Sequence, residues 1–149
     1  MPDASTLSEP SSLIDIGATF LPVGQMRQIT RVTAIEGTAI EGEMDLGPDH
    51  WVYPQHFPDD PIFPGTLMIE AAGQLVALWA WDNGQRGYPR LVRTSAEFHN
   101  PVCPEASSLR VRAIVRPRRH LCFGDIQIFW AETLVATVEA VLVVLTSRS

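Results

Sequence analysis

Residues 66–84, TLMIEAAGQLVALWAWDNG, constrain this chain more than any other segment. They read as one helix from about Thr66 to Trp81, stopping near Asn83-Gly84. Leu67, Met68, Ile69, Ala71, Ala72, Leu75, Val76, Leu78 and Trp79 cover every face of it. A helix that is apolar all round has no side to show to water, so the rest of the chain must enclose it.

What surrounds it is written in a different period. QITRVTAIEG, starting at Gln28, and TAIEGEMDL after Gly37 read as a hairpin. Beyond the helix, about 91–100, 107–116, 122–131 and 133–146 read as strands. LRVRAIVRP alternates at period two, whereas TLVATVEAVLVVL is more continuously apolar and belongs in the middle of a sheet or at an interface. Between the hairpin and the helix, DHWVYPQHFPDDPIFPG holds Pro54, Pro58, Pro61 and Pro64, too many for a strand or a helix interior, and so forms a shaped loop. An antiparallel sheet buries such a helix only by curling round it. The expected class is therefore α+β, a hotdog-like arrangement with the sheet wrapped about one long central helix. Residues 1–12, rich in Ser, Pro and acidic side chains, are expected to be a flexible tail, and 13–149 one domain.

Composition excludes several classes. The net charge of -6 argues against a general nucleic-acid binder. No run of 18 apolar residues spans a membrane and no basic-then-apolar leader opens the chain, which reads as cytoplasmic. Cys103 and Cys122 do not form a CxxC pair, and His50, His99 and His120 are too separated to predict a metal site. No phosphate-binding glycine motif is present, so no cofactor is expected. Charge is segregated: Glu36, Glu41, Glu43, Asp45, Asp49, Asp59 and Asp60 fall in a stretch without Lys or Arg, and Arg110, Arg112, Arg116, Arg118 and Arg119 cluster later. The arginine cluster is either a solvated strand edge or a patch that steers an acidic partner.

Within the apolar helix only Glu70 and Gln74 are strongly polar, and their i,i+4 spacing puts them on one face. A buried carboxylate is costly without hydrogen-bond partners, so the pair either faces a solvent slot or serves chemistry. His56, in the loop restrained by prolines, can accept a proton from carbon if the loop fixes its angle. Gly65 lies where the helix starts, and its free N–H can stabilise a developing oxyanion.

The stretch HFPDDPIFPGTLMIEAAGQL resembles the signature of the 3-hydroxyacyl-acyl-carrier-protein dehydratases of bacterial fatty-acid synthesis: His, a Pro-rich stretch, Pro-Gly, then Glu or Asp fourteen positions after the His. Here these are His56, Pro64-Gly65 and Glu70. FHNPVCP, from Phe98 to Pro104, resembles the family's strand ending in a Pro-Val-x-Pro turn. The resemblance covers about residues 20–146 and implies a hotdog fold that works as a dimer. It further implies that His56 removes the C2 proton, Glu70 protonates the departing 3-hydroxyl and the Gly65 N–H binds the thioester oxygen. The Ile62 carbonyl would orient His56, and Gln74 would support the carboxylate. His56 and Glu70 of one site would come from different subunits of a homodimer, or of a heterodimer with a homologous subunit, alone or as a trimer of dimers. The substrate would be a phosphopantetheine thioester on an acyl carrier protein, from fatty-acid, polyketide or polyene synthesis. Phe57, Phe63, Met68 and Trp79 are candidates to line its acyl tunnel, and Arg86, Arg90, Arg93, Arg116, Arg118 and Arg119 to dock the carrier. Two alternatives share the fold: a hotdog thioesterase, and a non-catalytic or partner-dependent subunit of a heterodimeric dehydratase.

Overall fold

The computed structural model describes residues 20–148 together with Pro10–Ser12 and Asp15. The expected tail and its boundary at residue 12 fall mostly outside the described residues.

Among the described residues, six strands form one antiparallel sheet: β1 (Arg31–Glu36), β2 (Ala39–Asp45), β3 (Tyr88–Phe98), β4 (Ser108–Arg118), β5 (Leu121–Trp130) and β6 (Thr133–Leu145), in the order β1-β2-β4-β5-β6-β3. One helix, α1 (Gly65–Asp82), packs against β2, β3, β4, β5 and β6. This is the hotdog architecture expected from the element pattern.

Period-two alternation decides which face of each strand meets the helix. Along β4, Leu109, Val111, Ala113 and Val115 are buried, while Arg110, Arg112, Ile114 and Arg116 point outward. Cys122, Ile126 and Ile128 of β5 and Ile40 and Met44 of β2 complete the inner face against Leu75, Val76 and Leu78 of the helix. Burying each of those three side chains contributes about 1.5–3 kcal/mol. Gly124 lets the helix come this close, since a Cβ there would meet Val76 Cγ2 at 2.5 Å. The Trp79 indole N–H donates to the Gly37 carbonyl at 2.9 Å, fastening the helix to the β1–β2 turn, where Gly37 has φ +58°.

The helix does contain the polar pair, and its burial is uneven. Gln74 is 2% exposed, whereas Glu70 is only half-buried. At the other end of the sheet, β3 is an edge strand with almost no buried residue. It leaves Leu91, Val92 and Phe98 at 50%, 57% and 50% exposure, with a bulge between Leu91 and Arg93. A long exposed edge of this kind is a template for pairing with another chain. No helix among the described residues is long and apolar enough to cross a membrane.

Candidate active site

The Pro-rich segment between β2 and α1 closes on itself through reciprocal backbone bonds. The Phe57 N–H donates to Asp60 O at 2.9 Å and the Asp60 N–H to Phe57 O at 3.0 Å. The Ile62 N–H donates to His56 O at 2.9 Å, and His56 Nδ1 lies 3.1 Å from Ile62 O. A carbonyl oxygen only accepts, so Nδ1 carries the proton in this bond, which in a neutral imidazole puts the lone pair on Nε2. Phe57, half-exposed, stacks on the imidazole with ring centroids 4.0 Å apart. The Phe63 N–H donates to Val102 O at 2.8 Å, which ties this loop to the turn after β3. His56 is thereby a half-buried imidazole of fixed tautomer on a rigid loop.

The loop runs into α1 through Pro64, whose ring presets φ at -65°. The Leu67 and Met68 N–H groups donate back to Pro64 O, and among the described residues no acceptor meets the Gly65 N–H. Gly65 has a steric reason to be glycine: a Cβ there would lie 2.6–2.9 Å from three atoms of the Phe98 ring.

Glu70 is held from within the helix. Gln74 Nε2 donates to Glu70 Oε2 at 2.9 Å and to Met26 O at 2.7 Å, while its Oε1 accepts from the Gln28 and Ile29 N–H groups at 2.8 and 3.2 Å. Both N–H donors and both oxygen lone pairs of the Gln74 amide are thereby used. The carboxylate faces a groove of about 640 Å³, lined along the helix by Thr66, Ile69, Gly73 and Ala77 and opposite by Leu91 and Leu142. His56 of the same chain does not line this groove.

Nearby, burial pushes the Tyr53 phenol up to about 12, helped by the charges of Cys103 and Glu105, and its O–H donates to Cys103 O. Burial also lowers the His50 imidazole, whose Nδ1 accepts from the Val52 N–H at 3.1 Å. Both side chains brace the loop. Among the described residues no cluster of three or more His, Cys, Asp or Glu is placed to hold a metal ion.

The remaining expected site residues separate. Phe63, Met68 and Trp79 sit in the core, 2–4% exposed, and do not line the groove beside Glu70. An all-round apolar helix hides which of its side chains point at a sheet and which at a cavity, and Trp79 is turned inward by its bond to Gly37. Of the six arginines, three share one depression and the other three lie apart from it. Arg90 lines the groove, Arg93, Arg116 and Arg118 line a depression on the outer face of the sheet, Arg86 lies 5.1 Å over the Trp81 ring, and Arg119 heads the β4–β5 turn at φ +60°. Arg116 and the neighbouring Arg112 are within 4.0 and 3.7 Å of Asp125 and Glu41, so part of the outer row is already neutralised. The groove residues Phe20, Leu21, Gly73 and Leu91 were missed by reading the sequence. The available signal was Gly73, a glycine one turn from Glu70 on the same face of an otherwise unbroken helix.

Residues 21–139 match the family model described as the FabA-like domain. The chain belongs to the FabA-like domain family. Solved structures show the same fold at low identity. The dehydratase heterocomplex ApeI:P from Xenorhabdus doucetiae matches at TM-score 0.69 and 16% identity, over 85% of this chain and 89% of that one. A mutant thioesterase from Pseudomonas aeruginosa matches at TM-score 0.71 and 12% identity, over 93% and 95%. AziG of S. sahachiroi matches at TM-score 0.63 and 18% identity, over 78% and 91%. This FabA-like domain therefore shares its fold with dehydratases and thioesterases alike.

Proposed function

We propose that this protein dehydrates 3-hydroxyacyl thioesters carried on acyl carrier protein, giving 2-enoyl thioesters and water. The observation that carries the reading is the paired restraint of two proton-transfer groups. Ile62 fixes His56 with the Nε2 lone pair free, and Gln74 fixes Glu70 through Oε2 with Oε1 free.

In this reading His56 Nε2 takes the C2 proton, and the electrons of that C–H bond move toward the thioester oxygen, which the Gly65 N–H stabilises. Collapse of the enolate forms the C2–C3 double bond and expels the 3-hydroxyl, which takes its proton from Glu70 Oε1 and leaves as water. The imidazolium and the carboxylate then reset by proton exchange. No cofactor takes part in these steps.

Since His56 does not line the groove that holds Glu70 of its own chain, a second copy or a homologous subunit supplies it. The exposed edge of β3, with Leu91, Val92 and Phe98, is the surface that pairing would cover. The acyl carrier protein is the partner that presents the thioester in this reading.

A thioesterase is the second reading, favoured by thioesterases among the structures of the same fold. Intact-mass analysis of carrier protein loaded with 3-hydroxyacyl chains separates the two. Loss of one water, abolished in His56→Ala and Glu70→Ala, supports the dehydratase. Release of the free acid, leaving bare carrier, supports the thioesterase and overturns the proposal. Turnover only after a homologous subunit is added assigns this chain to a heterodimer.

A further inference from the structure

Nothing in the chemistry at Glu70 requires the groove to extend a further two turns along the helix, yet it does. Beyond Glu70 it passes Gly73 and Ala77 on one side and Leu91 and Leu142 on the other, and Phe20 and Leu21 also line it. A Cβ built on Gly73 would meet no atom within 4 Å, so the groove is open beside this position and a long side chain there would project into it. Phe20 stacks on Trp81 with ring centroids 4.4 Å apart and planes within 6°. Trp81 follows Ala77 by one helical turn and carries the Arg86 guanidinium 5.1 Å over its ring. Phe20 thus lines the groove while stacked on a residue one helical turn beyond Ala77, on the side away from Glu70.

We propose that Phe20, backed by Trp81, is the stop that sets the longest acyl chain this protein accepts, and that Gly73 opens the way to it. The inference rests on the reading that Glu70 meets C3 of a thioester substrate and names the substrate class further. The seven residues from Glu70 to Ala77 rise about 10 Å, room for about eight carbons beyond C3, so the preferred substrates are of medium length, about ten to twelve carbons. A small residue at 73 is needed because any larger side chain would stand in the alkyl path, and an aromatic stack suits the end because it is flat, apolar and held from behind.

The test is calorimetric binding of unreactive S-alkyl phosphopantetheine thioethers of graded length, run beside the dehydration assay on the same series. Affinity should rise about fourfold per methylene while each added group is buried, then stop rising at about the length the groove holds. Phe20→Ala should move that plateau to longer chains by two or more carbons, and Gly73→Leu should move it to shorter ones. Unmoved plateaus in both variants, or affinity that never depends on length, overturn the proposal. Plateaus that move as expected in a protein that removes no water uphold the length stop and remove the dehydratase reading beneath it.

Discussion

Replacing Gln74 with leucine should destabilise the protein severely. The Gln74 Oε1 is the acceptor for the Gln28 and Ile29 N–H groups, which lie in residues 6% and 0% exposed. Leucine is of similar size but offers no acceptor, so both N–H groups stay buried without a partner. Each such loss costs about 1–3 kcal/mol, giving a total of about 4 kcal/mol. The Met26 carbonyl also loses its donor, but at the exposed margin of the segment, where water replaces it cheaply. In a domain of this size 1 kcal/mol moves Tm by about 2–4 °C, so thermal unfolding followed by circular dichroism should show a fall of about 10 °C. Glu70→Gln is the companion variant. Its side-chain oxygen can still accept from Gln74 Nε2, so its Tm should stay within about 2 °C of the parent while dehydration is lost. A Gln74→Leu protein that melts within about 2 °C of the parent would refute the anchoring of residues 26–29 by this amide to the face of the helix that carries Glu70.

Gly65→Ala should lower kcat/KM at least about tenfold as the methyl and the displaced Phe98 ring crowd the Gly65 N–H; native kinetics would remove that N–H from the mechanism. Ultraviolet titration of the folded protein should show one of its two tyrosines ionising only near pH 12, a step absent from Tyr53→Phe. Because the unfolded phenol releases its proton near 10, the folded state binds more protons between about 10 and 12, and the stability Tyr53 contributes is lost as pH rises through that window.

Most of the fold was legible because two periods do not resemble each other. The helix expected over 66–81 spans Gly65–Asp82, and β4, β5 and β6 start and end within about two residues of where alternation placed them. β3 begins three residues early because Tyr88–Arg90 pair with β6 along an edge, where burial writes no pattern into the side chains. For the site, His56, Gly65, Glu70 and Gln74 stood out since each is the wrong residue for a plain loop or an apolar helix. The groove did not stand out. Its walls come from residues 20–22 and 89–91, far apart in sequence, and its defining feature at Gly73 is an absence of side chain. Likewise the arginines considered for docking divide between places that the sequence does not separate. β4 throws Arg116 and Arg118 to the outer face, whereas Arg90 reaches the groove beside the helix.

In the proposed dehydratase two copies of the fold each lend one group to a site that removes water. The most direct measurement is dehydration by mixed dimers, formed by refolding His56→Ala and Glu70→Ala proteins together. Each variant alone should be inactive. In a symmetric dimer, random reassociation leaves half the dimers with one intact site, so the mixture should recover about a quarter of the native rate. A mixture as inactive as its components, or either variant retaining the native rate by itself, would contradict the account.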